Sequence, residues 1–373
     1  MTMGGAFTQI LRSSWISNLL WTGGGLLALG LGTLYYFQDN LLYHPSIPGM
    51  PKSPRENPPG YRSPAEHGIH NFEEQFLKTE DGATIHAWLL LQSDSASIPT
   101  VVYFHGNAGN MGFRLPHGSN LYKQCRVNVM MVDYRGYGSS KGTPSEEGLK
   151  ADGRAVLTAL RAHPRVAPDQ IVLYGKSLGG AVALALAEER PDEVLALVLE
   201  NTFLSIPAMV DVLMPLVKIF KGLILRIGWR NDRRVSQLAH PILFMSGLAD
   251  ELVPPSHMRQ LKELAVRSVW AQLYTVADGQ HNDTWFRGGI AYYRNFRDFL
   301  GKVAELVAEG KAGSKATKAQ NVCASTSSVM ANVGGEGLRE GIARGSIPVM
   351  PPASLSNVPS AAASVDLKTK KSD

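Results

Sequence analysis

The chain has 373 residues and a mass of 40.5 kDa, with 44% hydrophobic and 18% charged residues, a balance that excludes a wholly disordered protein. Its 37 Lys and Arg against 32 Asp and Glu leave a net charge of +5. The stretch from Lys302 onward holds nine basic and six acidic residues, so the rest of the chain lacks the basicity of a nucleic-acid binder. The two cysteines, Cys125 and Cys323, exclude a disulfide scaffold and a Cys-x-x-Cys metal site.

No charged residue occurs between Arg12 and Asp39. After a short N-terminal segment (1–14), the 23 residues from Trp15 to Phe37 are long enough to cross a hydrocarbon core of about 30 Å. Trp15, Trp21, Tyr35 and Tyr36 lie toward the ends of the run, where interfacial aromatics are favoured. The expectation is therefore a transmembrane anchor over 15–37 and a single-pass location in the endoplasmic reticulum or plasma membrane. The competing readings are a cleaved signal peptide and a buried globular helix. The run is long for a signal-peptide apolar region and shows no clear small-x-small cleavage site. Arg12 lies before it and Lys52, Arg55 and Arg62 after it, so charge does not set an orientation.

Seven prolines between Pro45 and Pro64 make 38–70 a Pro-rich linker, either an extended spacer or a wrapped loop. From 71 to 300 short β-branched or apolar runs alternate with helical patterns. The runs are 72–78, 84–91, 100–106, 127–134, 171–175, 194–200, 241–247 and 268–276, and helices are expected at 145–162, 178–189, 255–266 and 285–300. Asp81-Gly82 marks a hairpin turn between the first two runs. The alternation predicts an α/β fold with an eight-stranded, mostly parallel sheet and helices on both faces. The Ala-, Ser-, Gly- and Lys-rich stretch 301–373 is expected to be a disordered tail.

Four motifs fall at the C-terminal ends of predicted strands. Gly175-Lys176-Ser177-Leu178-Gly179 is a G-x-S-x-G placed between a strand and a helix, a sharp turn that lifts Ser177 above the sheet. A P-loop reading of Gly175-Lys176-Ser177 fails, because the required upstream glycine position holds Gln170. His105 to Asn110 supplies a small-residue loop whose backbone N–H at Asn107 pairs with that of Leu178 as an expected oxyanion hole. His105 itself reads as a structural histidine.

Asp250, after the seventh run, is the candidate acid, with Glu200 and Asp133 as rivals. His281, in the loop after the last run, is the candidate base, whereas His163, His240 and His257 lie at helix ends or before a strand. The chain order Ser177, Asp250, His281 is that of α/β-hydrolases.

With these motifs together, the sequence resembles the Bem46-like group of α/β-hydrolases. The stretches that carry the resemblance are FHGNAGN, VDYRGYGSSKG, YGKSLGG, LENTF, SGLADELVP and DGQHND, and it covers roughly 15 to 300. It implies an α/β-hydrolase fold, a Ser-His-Asp triad of Ser177, His281 and Asp250, and no metal or other cofactor. A small cap is expected at 203–235, after strand six. Within it, Lys218 to Arg234 holds six basic residues and one acidic residue, a candidate edge for anionic lipid. Pro215 and Gly222 predict a broken helix there, and Lys218 and Lys221 argue against a second span.

The expected function is a membrane-anchored serine hydrolase acting on a carboxylic ester or thioester of a small molecule, a lipid or an acylated protein. The alternatives are a serine peptidase of the prolyl-oligopeptidase or aminopeptidase type and a non-catalytic membrane scaffold in cell polarity. Asn282-Asp283-Thr284 is an N-glycosylation sequon adjoining His281.

Overall fold

The computed structural model describes residues 14–216 and 218–313. Residues 1–13 and most of the expected tail, 314–373 with Cys323, lie outside the described residues.

The eight expected runs form strands β1 (Phe72–Lys78), β2 (Thr84–Leu90), β3 (Thr100–Phe104), β4 (Asn128–Asp133), β5 (Ile171–Lys176), β6 (Ala196–Glu200), β7 (Ile242–Gly247) and β8 (Ala271–Val276). They join one sheet in the order β1-β2-β4-β3-β5-β6-β7-β8. β1 and β2 pair antiparallel through the turn at Asp81-Gly82, and β2 pairs antiparallel with β4; the other neighbours are parallel. Strands β3 to β7 are buried along their whole length, which explains why they read as continuous apolar runs rather than as alternation.

Helices cover both faces of this sheet. One face carries α3 (Glu146–Arg161), α4 (Leu178–Glu189) and α8 (Pro255–Leu264), whose Leu149, Val156, Leu184 and Leu261 pack with Val102, Met130 and Phe244. The other carries α2 (Leu115–Cys125) and α10 (Gly289–Ala308), whose Leu121, Tyr292, Phe296 and Phe299 pack with Val101, Met131 and Tyr174. Each fully buried aliphatic or aromatic side chain contributes about 1.5–3 kcal/mol of transfer free energy, so these layers fix the strand ends that carry the site. Ser145 caps α3 by accepting from Gly148 N–H at 3.1 Å, and Glu146 and Glu147 in the first turn complement the helix dipole.

Helix α2 is not in the sequence expectation. Its residues include Pro116, Gly118, Ser119 and Asn120, all weak helix formers, and packing decides its conformation. A Cβ at Gly118 would lie 2.7 Å from Met131 Sδ, so the glycine sets how closely α2 approaches β4.

Three expected boundaries change. The domain does not end at 300: α10 continues to Ala308 with Val303, Leu306 and Val307 buried, so the first residues of the expected 301–373 tail belong to the core. The 38–70 linker begins only at Tyr43, because the N-terminal helix runs to Leu42, and of its two expected forms it takes the wrapped loop. It holds two short 3-10 turns, Pro54–Glu56 and Pro64–His67, and buries Tyr43, Asn57 and Ile69.

The third change concerns the N-terminal helix. The 15–37 run lies within a longer helix α1, Ser14–Leu42, which has the length of a membrane span. Gly23 to Gly25, Gly30, Gly32, Asn18, Thr22 and Thr33 dilute its apolar content. Among the described residues no helix is long and apolar enough to cross a membrane, and the expected transmembrane anchor is corrected accordingly. What the helix presents is an exposed apolar surface including Leu19, Trp21, Leu26, Leu29 and Tyr36.

The cap after β6 is broken as expected. It comprises α5 (Ile206–Leu213), a 3-10 turn at Lys218–Phe220, α6 (Lys221–Ile224) and α7 (Asn231–Val235).

Candidate active site

Ser177 occupies the turn between β5 and α4 with φ 52° and ψ −117°, a left-handed backbone that a serine rarely adopts. Such strain costs on the order of 1–3 kcal/mol and persists only where the surroundings impose it. Here the glycines two residues to either side permit the close packing that holds it. A Cβ on Gly175 would sit 2.3 Å from Gly179 O, and one on Gly179 would sit 2.0 Å from Phe104 O. Ser177 N–H donates to Glu200 O at 2.9 Å, and its carbonyl accepts from Thr202 Oγ1 at 2.7 Å. The turn leaves Ser177 at the N-terminus of α4, where free N–H groups and the positive dipole end face it.

His281 and Asp250 meet from the loops after β8 and β7. His281 Nδ1 and Asp250 Oδ2 are 2.8 Å apart, with the two side chains 8% and 2% exposed. The other oxygen of Asp250 accepts from Leu252 N–H at 2.9 Å and Val253 N–H at 2.8 Å, so the carboxylate is held from both sides. His281 N–H donates to Glu251 Oε2 at 3.1 Å. This arrangement fixes the imidazole with Nδ1 toward the Asp250 carboxylate and Nε2 away from it.

The rival acids sit elsewhere. Glu200 Oε2 accepts from Tyr174 OH at 3.0 Å and from Tyr292 OH, deep between β6 and α10, and burial raises its carboxyl. Asp133 accepts from Met111 N–H at 2.7 Å and lies 3.5 Å from His105 Nε2. His105 Nδ1 is 2.6 Å from Gly106 O, in keeping with the structural reading of this histidine. His163 pairs with Glu73, His240 with Pro191 O, and His257 accepts from Leu204 N–H at 3.4 Å.

Leu178 is the chain neighbour of Ser177, and Asn107 follows Gly106, which approaches the serine. Leu178 opens α4, and the 106–107 turn adjoins the elbow, with the Cβ position of Gly106 3.6 Å from Ser177 Cβ. The Asn107 side chain is itself anchored: its amide donates to Leu42 O, and Oδ1 accepts from Tyr137 OH at 2.7 Å and His44 N–H at 3.3 Å.

Two further residues join the loops and have no role in the sequence reading. Asn201, after β6, donates to Gln280 O and His281 O at 3.2 Å and to Thr284 Oγ1 at 2.9 Å. Its Oδ1 accepts from Gly247 N–H at 2.8 Å, so one side chain spans the acid-bearing and histidine-bearing loops. The signal was its position in LENTF immediately after a strand, together with the tolerance of asparagine for its positive φ of 47°. Lys176, buried beside the Ser177 turn, reaches Asn282 Oδ1 at 3.1 Å; burial lowers its ammonium to about 8. The sequon is therefore occupied internally, with Asn282 bonded to Lys176 and Thr284 buried. Among the described residues no cluster of three or more His, Cys, Asp or Glu is placed to hold a metal.

An eight-stranded sheet in which β2 alone runs against the other strands, with a strained serine between a strand and a helix, defines an α/β hydrolase. The sequence model of the alpha/beta hydrolase fold family matches residues 99–223. The chain is 36% identical over 304 residues to the alpha/beta hydrolase domain-containing protein WAV2 of Arabidopsis thaliana, covering 78% of this chain and 96% of that one. It is 39% identical to the protein bem46 of Schizosaccharomyces pombe, covering 80% and 96%. It is 38% identical to the uncharacterized membrane protein YNL320W of Saccharomyces cerevisiae, covering 74% and 94%. The chain belongs to this Bem46/WAV2 type of α/β-hydrolase domain-containing proteins. The esterase Pf2001 of Pyrococcus furiosus shares the fold, with a TM-score of 0.53 and 19% identity over 64% of this chain and 95% of that one.

Proposed function

We propose that this hydrolase is a serine esterase or thioesterase working at a membrane surface through Ser177, His281 and Asp250. The observation that carries the reading is the 2.8 Å bond between His281 Nδ1 and Asp250 Oδ2, beside a serine held in a left-handed turn. In this reading Ser177 Oγ attacks the acyl carbonyl while His281 Nε2 takes its proton. Asp250 holds the ring and stabilises the imidazolium. The N–H groups of Asn107 and Leu178 stabilise the oxyanion, each for about 3–4 kcal/mol in the transition state. His281 then protonates the leaving alcohol or thiol, and water releases the acyl group by the same path in reverse.

The membrane part rests on apolar surface. Leu216, Ile219 and Leu223 of the cap are 87%, 80% and 75% exposed, and α6 packs beside α1, whose outward residues are apolar too. A similar yeast protein carries the description membrane protein. Such a face suits an acyl substrate delivered from lipid, whether a lipid ester or an acylated protein.

The test is activity-based labelling. Purified wild type reacts with a fluorophosphonate probe and hydrolyses a p-nitrophenyl ester or acyl-thioester, and Ser177→Ala loses both, with kcat down by at least about 10⁴-fold. Equal labelling of Ser177→Ala overturns the assignment. Turnover of aminoacyl amides in place of esters would redirect it to a peptidase.

A further inference from the structure

The end of helix α1 reaches two places at once. On one side it binds the cap. Gln38, only 7% exposed, donates to Ile224 O at 3.2 Å and accepts from Arg226 N–H at 2.8 Å and Ile227 N–H at 3.0 Å. Arg226 pairs with Asp39 at 2.6 Å, and buried Tyr43 OH accepts from Trp229 Nε1 at 3.0 Å. On the other side the same few residues bind the loop after β3. Leu42 O and His44 N–H hold the two ends of the Asn107 amide, and His44 forms a parallel β-bridge with Ala108. Tyr137, buried in the core, supplies a third contact to Asn107 Oδ1.

The geometry points to the Gln38–His44 segment and Tyr137 as positioning residues for the oxyanion hole, so that the seating of α1 against the cap is transmitted to the Asn107 N–H. The inference rests on the serine-hydrolase reading of the site. A backbone N–H contributes to the transition state only when it is aimed within a few tenths of an ångström, and a loop of Gly, Asn and Ala has little side-chain bulk to aim itself. The aiming therefore comes from outside the loop. Three partners fix the Asn107 side chain, and two of them belong to a segment more than 60 positions earlier in the chain. A change in how α1 sits, whether from lipid or from a partner helix, moves Leu42 and His44 and with them the loop.

The experiment uses the full chain. Tyr137→Phe removes one hydroxyl from Asn107, and Gln38→Leu loosens the helix end from the cap without touching the loop. Each variant is measured for kcat, KM, thermal midpoint and the inhibition constant of a trifluoromethyl ketone, whose hemiketal adduct with the Ser177 hydroxyl places an oxyanion where the transition state has one. The expected result is kcat down by roughly 10- to 100-fold in Tyr137→Phe and in the same direction in Gln38→Leu. The ketone weakens in parallel, while KM and fluorophosphonate labelling of Ser177 are retained. Wild-type kcat in both variants overturns the inference, as does a loss carried by KM and thermal midpoint with ketone affinity unchanged. Wild type that fails to label at all overturns the serine-hydrolase reading itself, which separates the two failures.

Discussion

Lys176 and Asn282, the residue before Ser177 and the residue after His281, meet through Nζ and Oδ1 at 3.1 Å. The contact crosses from the end of β5 to the loop beyond β8 and ties the serine turn to the histidine loop without involving the side chain of Ser177 or His281. A buried ammonium is an expensive way to make such a tie. Its cost makes it measurable.

Burial lowers Lys176 to about 8, with Glu200 opposing the shift, whereas a free lysine titrates near about 10.4. Between these values the unfolded chain binds more protons than the native protein, so native stability rises with pH. Lys176→Met lacks this titration. Its stability relative to wild type is expected to fall by about 2–3 kcal/mol from pH 7 to pH 10, measured by urea unfolding at several pH values. A difference that stays flat across that window contradicts a charged lysine buried at this position.

Asn201 is expected to matter for rate as well as stability. Asn201→Ala removes four hydrogen bonds to the loops after β7 and β8 and leaves a non-glycine residue at positive φ. Asn201→Gly removes the same bonds but relieves the backbone, so comparison of the two separates the bonds from the strain. Both variants are expected to lose roughly 10- to 100-fold in kcat, with Asn201→Gly the more stable by up to about 1 kcal/mol in thermal or urea unfolding. Unaltered kcat in Asn201→Gly would show that the loops hold their places without this side chain.

Vesicle binding, if the apolar face drives it, is expected to depend weakly on lipid charge. The sequence shows a strongly basic cap, yet Lys221 pairs with Asp211, Arg226 with Asp39, Arg230 with Asp232, and Arg234 with Glu146 and Glu188. Flotation with neutral phosphatidylcholine vesicles should recover nearly as much protein as flotation with anionic ones. Added salt should reduce recovery little. Binding restricted to anionic vesicles and abolished by salt would restore the electrostatic reading.

The strands and the G-x-S-x-G turn were legible because local chemistry and tertiary structure agree there. Continuous apolar runs have one good fate in an α/β layer, and Gly175 and Gly179 are demanded by contacts of 2.3 and 2.0 Å. The pairing of Asp250 with His281 was legible from position alone, each lying just past a strand end. Helix α2 was hidden because Pro116 and Gly118 speak against a helix until β4 and α10 pack on it. The ion pairs of Arg226 and Arg234, the amide of Asn201 and the seating of Gln38 join residues dozens of positions apart. No local pattern announces them. The α1 run read as a membrane span because it is uncharged, although its glycines and hydroxyls leave it less apolar than a span requires.

The strand order has a consequence for how the chain is made. β2 lies between β1 and β4, so after the first hairpin has emerged, its inner edge waits for residues 128–133. Those residues arrive only once β3, β4's other neighbour, is already out. At a synthesis rate of about 5–20 residues per second the nascent chain carries this uncovered edge for seconds. Ile85 to Leu90, all buried in the finished protein, thus wait with an unpaired strand edge through that interval.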